Sequence, residues 1–131
     1  MRLPCFALLL AGCAASGPAP APDAGGRTQA DYEAELARFS DEIDAAVGEA
    51  RADSLAQCRV LEVRAKPCGG SWEYRVYSAG DGDPERAVEL AAARYALSEE
   101  MNRRFDIASD CAVTAAPEVA LEGGRCLARQ T

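Results

Sequence analysis

Six cysteines and no histidine in 131 residues constrain this chain more than any other feature. Cys5 and Cys13 lie at the start, while Cys58, Cys68, Cys111 and Cys126 are spread through the later part. Four thiols can close two disulfides in an oxidising compartment or hold one metal ion in a reducing one. A four-cysteine zinc site needs ligands in close C-x₂₋₄-C pairs, and no such pair occurs. The absence of histidine removes the other common zinc ligand. No metal and no cofactor is therefore expected, and the compartment decides how the cysteines are read.

The first thirteen residues speak to that compartment. Arg2 precedes an apolar run, Leu3 to Leu10, that ends in Leu10-Ala11-Gly12-Cys13. The run is too short to span a bilayer but has the length of a signal-peptide core, with small residues at the cut. The pattern resembles the lipobox of bacterial lipoproteins. That resemblance implies removal of residues 1–12 and a diacylglycerol thioether on Cys13, usually with a third, amide-linked acyl chain. Two or three chains hold a protein durably on a membrane. Ala14 follows the cysteine, not Asp, which favours the outer membrane facing the periplasm. The competing reading is an ordinary secreted protein cleaved elsewhere.

Residues 13–27 follow as a lipidated cysteine and tether, in which Pro18-Ala19-Pro20-Ala21-Pro22 and Gly25-Gly26 favour extended chain over packed structure. Residues 28–131 then form a single domain, small enough to benefit from crosslinks. With Cys5 removed and Cys13 acylated, Cys58, Cys68, Cys111 and Cys126 remain for two disulfides. Three pairings are possible. Cys58–Cys68 with Cys111–Cys126 is favoured, because each pair flanks a segment that can fold back on itself.

Without Arg2 the chain carries thirteen Lys or Arg against twenty-one Asp or Glu, a formal balance near −8. Eight of those acids fall within residues 28–57 beside two arginines, and such acidity argues against nucleic-acid binding. Periodicity supplies the fold class. Thr28 and Asp31 form a capping-box start, and Tyr32, Leu36, Phe39, Ile43, Ala46 and Ala50 make one helical stripe. Cys58–Arg64 and Trp72–Tyr77 read as strands around the turn Lys66-Pro67-Cys68-Gly69-Gly70. Trp72, Tyr74 and Val76 share a face expected to pack under a helix, and Tyr77 points the other way.

Asp83 and Pro84 open a second helix reaching about Arg104, with Val88, Ala91, Tyr95, Leu97, Met101 and Phe105 on its buried side. Short strands are expected around Cys111–Thr114 and Val119–Leu121, and Gly123-Gly124 turns the chain into Cys126-Leu127-Ala128. The result is a small disulfide-stabilised α+β domain with two main helices and antiparallel hairpins.

The segments Cys58-Arg59-Val60, Lys66 to Tyr74, Val76-Tyr77-Ser78, Ser109-Asp110-Cys111 and Gly123-Gly124-Arg125-Cys126 resemble a group of small exported bacterial proteins, often lipoproteins. The similarity spans roughly residues 57–128. It implies a shared disulfide framework and no particular activity.

Catalytic chemistry has little to stand on. Serine–histidine and cysteine–histidine arrangements are impossible without histidine, and acylated or oxidised cysteines leave no thiol nucleophile. Asp106 and Asp110 could be paired on paper as hydrolase carboxylates, but their spacing says nothing of their separation. Asp81-Gly82-Asp83-Pro84-Glu85 begins like a calcium loop, yet Arg86 and Ala92 stand where an EF-hand needs Gly and Glu. The loop from Lys66 to Tyr77 holds the lone lysine, the lone tryptophan and two tyrosines. Lys66, Trp72, Tyr74 and Tyr77 are thus the candidate binding residues, since rigid aromatics beside a cation make effective interface anchors. The expected function is a non-enzymatic, monomeric module: anchored to membrane by lipid, it binds another envelope or exported protein. An envelope hydrolase and a small-ligand-binding lipoprotein are the alternatives.

Overall fold

The computed structural model describes residues 26–129. The leader, Cys5, Cys13 and most of the tether lie outside those residues. Arg27, assigned to the tether, instead belongs to the domain: its guanidinium sits 4.0 Å over the Tyr32 ring and pairs with Glu35.

Helix α1 spans Gln29–Val47 and starts as expected. Thr28 Oγ1 accepts from the Asp31 N–H, and the Asp31 carboxylate accepts from the Thr28 N–H, so two otherwise orphaned donors are satisfied. The helix ends earlier than its apolar stripe. Gly48 caps it with φ 62°, and Ala50 (φ 52°) has already left the helical path. From there Ala50 O accepts from Cys126 N–H and Ala52 N–H donates to Gly124 O.

Strands β1 (Cys58–Ala65) and β2 (Ser71–Ser78) form an antiparallel hairpin, entered through a single 3₁₀ turn at Leu55–Gln57. Register runs from Cys58 opposite Ser78 to Glu62 opposite Tyr74, then slips so that Arg64 faces Glu73. The slip inserts Val63 as an extra residue, and Val63 is buried in the core. Helix α2 (Pro84–Arg104) begins with Asp83 accepting from Arg86 N–H and proline at the first turn. Strands β3 (Glu118–Glu122) and β4 (Arg125–Arg129) make a second antiparallel hairpin around Gly123 (φ 57°) and Gly124 (φ 73°). Two residues with positive φ are what a tight right-twisting hairpin turn requires.

The domain is α+β and layered. The antiparallel pair α1 and α2 covers one face of β1–β2, and the β3–β4 hairpin covers the other. Between helices and sheet lie Ile43, Leu61, Val63, Ala87, Leu90 and Ala91, with Phe39 and Tyr77 packed against them. Tyr32, Leu36 and Met101 close one end, with Phe105 edge-on to Tyr32 at 5.7 Å. On the opposite face Ala50, Cys58 and Cys126 join Val76, Val119 and Leu121. Fully burying a side chain such as Leu36 or Ile43 stabilises by about 1.5–3 kcal/mol, so these three clusters hold the layers together.

Several expectations need correction. The disulfides are Cys58–Cys126 and Cys68–Cys111, with Cα separations of 5.4 and 5.3 Å. Strand β1 stands between Cys58 and Cys68, and eight residues at about 3.3 Å each carry them far beyond bonding range. Cys126 instead reaches Cys58 across the packed hairpins. No strand forms at Cys111–Thr114, where Cys111 has φ 56° and residues 108–117 run without regular structure. On α2, Val88 is 45% exposed, because the face that meets the sheet passes through Ala87, Leu90, Ala91, Arg94, Ser98, Met101 and Asn102.

Candidate functional site

Strand β2 presents two unlike faces, and they are reversed from the sequence expectation. Tyr77 turns toward the helices and packs on the Ile43 and Leu90 cluster. Glu73 and Arg75 share that side. Glu73 Oε2 accepts from Arg94 Nη2 at 2.9 Å and its Oε1 lies 2.7 Å from Arg75 Nη1. Arg75 Nε in turn donates to Asp44 of α1 at 2.9 Å. Trp72, Tyr74 and Val76 face away from the helices. The reason is electrostatic: the inward side of β2 carries charges that find partners on α1 and α2, whereas Trp72 has no helix above it. Trp72 itself is 36% exposed.

Beside Trp72 runs the segment 108–117, which acts as a strap across the outer face. Among the described residues no backbone–backbone hydrogen bond holds it. Its fastenings are side chains. The Tyr74 hydroxyl donates to Thr114 O at 3.0 Å, and Lys66 Nζ donates to Ala112 O and lies 3.4 Å from Asp110. The Cys68–Cys111 disulfide adds a covalent tie. Lys66 is only 6% exposed, so its charge is committed inside the fold and is not displayed to a partner. Asp110 also accepts the Ala112 N–H at 3.0 Å. That bond, followed by the Lys66 charge, holds the Asp110 carboxyl below its usual pKa.

Trp72, Glu73 and Tyr74 on one wall and residues 113–117 on the other enclose an open groove of about 570 Å³, with Ala128 at its edge. Val113 is 94% exposed on its rim. The loop 66–70 that positions Trp72 is itself fixed: Lys66 N–H bonds Gly70 O, Gly69 N–H bonds Lys66 O, and the Tyr95 hydroxyl donates to Gly70 O at 3.0 Å. The groove therefore combines one aromatic side chain at the surface with a frame ordered from three directions. Such pre-ordering reduces the entropy lost when a partner binds.

Other polar clusters are internally matched. Asp83 caps α2 and Asp81 accepts the Arg51 N–H at 2.9 Å, so the calcium-like segment serves as one helix cap, a tie to the Arg51 backbone and a turn. A polar hollow of about 440 Å³ includes Arg51, Asp53 and Arg125, but Glu49 pairs with both arginines. Asp106 and Asp110 are both exposed, and the latter is engaged by Lys66 and Ala112. No cluster of three or more His, Cys, Asp or Glu side chains positioned for a metal occurs among the described residues. No helix among them is long and apolar enough to cross a membrane.

Sequence reasoning missed the buried polar stripe of α2. Arg94, Ser98 and Asn102 recur every fourth residue, which puts them on one helical face. Arg94 is 4% exposed and donates to Leu36 O, Val63 O and Glu73. Ser98 Oγ accepts the Ala65 N–H at 2.8 Å, and Asn102 Nδ2 donates to Ala65 O at 3.0 Å. The spacing was visible, between apolar positions of the same face, but attention to apolar residues alone passes over it.

Searches against protein-family models, curated proteins and solved structures find no match to the chain. What fold and groove define is a class: a small, doubly crosslinked α+β domain with an aromatic surface groove.

Proposed function

We propose that this chain is a lipid-anchored envelope module, and that the groove beside Trp72 receives an extended segment of another envelope or exported protein. The observation that carries the reading is the position of Trp72: a large aromatic side chain kept at the surface, beside exposed Val113, on a frame fixed by hydrogen bonds and a disulfide. Tryptophan in such a setting is a typical binding anchor. An extended partner fits an open trough whose walls mix apolar and polar groups, and β2 has a second edge that pairs with no strand among the described residues. The Leu10–Cys13 motif supports the membrane anchor, and the segment 14–26 supplies reach away from the surface.

The test is paired. Cross-linked partner recovery from intact cells is expected to fall at least about tenfold with Trp72→Ala, and to stay unchanged with Val88→Ala, an exposed apolar residue on the far layer. Equal recovery with both would remove the groove from the account. Cys13→Ser is expected to release the protein from membranes; retention there would remove the lipid anchor.

A further inference from the structure

The two disulfides occupy opposite environments. Cys58 and Cys126 are 4% and 5% exposed and sit within an apolar cluster with Val76, Val119 and Leu121. Cys68 and Cys111 are both exposed, one in the Gly69-Gly70 loop and the other on the strap. Exchange begins when a thiolate approaches a disulfide sulfur, so access decides which bond reacts. Cys111 also holds a left-handed backbone (φ 56°), a region disfavoured for a residue with a side chain.

We propose that Cys68–Cys111 is a thiol–disulfide exchange site whose reactant is a dithiol protein, and that its opening frees the 108–117 strap. An incoming thiolate bonds one sulfur of the pair and expels the other as a thiolate, which takes up a proton. The reactant's second thiolate then attacks the mixed disulfide. The products are two thiols on this chain and one disulfide on the reactant, a transfer of two electrons and two protons. Oxidation is the reverse.

The rest of the fold does not depend on this bond. The strap is fixed at one end by Ile107, whose N–H bonds Asn102 O and whose side chain packs near Met101. At the other end β3 pairs with β4, and Cys126 of β4 is tied to Cys58. Between these points, among the described residues, only Lys66 and Tyr74 would still hold the strap. Because residues 113–117 form one wall of the groove, the redox state of Cys68–Cys111 sets whether that wall is present. The exchange chemistry stands apart from the identity of any groove partner.

The test uses the full chain purified from membranes, treated with graded dithiothreitol, alkylated, and mapped by mass. Cys68 and Cys111 are expected to label at a dithiol concentration at least about tenfold below that for Cys58 and Cys126. In parallel, Cys68→Ser with Cys111→Ser is exposed to an elastase-type protease, which cuts after small residues. Cleavage within 108–117 is expected to rise at least about tenfold while helix content holds. Simultaneous labelling, earlier labelling of Cys58 and Cys126, an equally resistant strap, or loss of helix in the double variant would each overturn the proposal.

Discussion

Arg94 Nη2 lies 2.9 Å from Glu73 Oε2, joining α2 to β2 beneath the helix layer. The same guanidinium donates to Leu36 O of α1 at 3.0 Å and to Val63 O at the slip in β1. One side chain therefore bridges both helices and both strands of the first hairpin. Its planar fork of donors suits this position, which a lysine ammonium on one flexible stem cannot fill in the same way.

Removing Arg94 takes away one of the two arginines paired with Glu73 and strips a donor from two buried carbonyls, Leu36 O and Val63 O. Arg94→Ala is expected to destabilise the domain by about 3–5 kcal/mol, read from urea unfolding. Glu73 retains more contact with water, so Glu73→Gln is expected to cost less, about 1–2 kcal/mol. Equal small losses would show that the bridge is dispensable.

Acid acts on the same pair. Burial pushes the Glu73 carboxyl up, but the charges and hydrogen bonds of Arg94 and Arg75 outweigh it and hold its pKa below the ordinary 4.5. A carboxyl depressed on folding contributes stability that is complete above its unfolded pKa and is lost as pH falls through the folded one. Urea midpoints are thus expected to decline as pH drops below about 4.5, and to decline less steeply in Glu73→Gln. Parallel curves for the two proteins would exclude Glu73 from the acid response.

At the junction of the helices, Gly82 has φ 65°, and a Cβ there would meet Ala46 O and lie 2.9 Å from Val47 O. Asp83 N–H bonds Ala46 O in the same place, so the backbones are locked together. Gly82→Ala combines left-handed strain with overpacking and is expected to cost about 2–4 kcal/mol in thermal or urea unfolding.

Local signals made much of the frame legible. The Thr28/Asp31 and Asp83/Pro84 starts and the Gly123-Gly124 turn depend on neighbours along the chain, and they stand where the residues indicated. Disulfide partners depend on packing between distant segments, which no local pattern reports. Even so, reading Cys58–Arg64 as a strand already conflicted with joining Cys58 to Cys68 across its length. The groove was legible only in part. Trp72, Tyr74 and Tyr77 were singled out, but which of them faced the helices turned on Glu73, Arg75 and their partners on α1 and α2. Lys66 read as a surface cation and proved to be an internal fastening, because the irregular strap needed a donor for Ala112 O.

Replacing both Cys58 and Cys126 by Ala opens the longer loop and empties the apolar cluster around it. The chain-entropy account gives about 4 kcal/mol for a loop of this size. The paired substitution is expected to lower the urea midpoint by a corresponding amount. An unchanged midpoint would place the weight of the second hairpin on its apolar contacts alone.

The most direct test of the docking groove keeps Trp72 and places a photoreactive amino acid at Val113, on the groove rim, in the full, membrane-anchored chain. A second chain carries it at Val88, also apolar and exposed but on the opposite layer. Irradiation in intact cells is expected to give a discrete protein adduct from position 113 that is absent from position 88. No adduct at 113, or the same adduct from both positions, would contradict a partner seated beside Trp72.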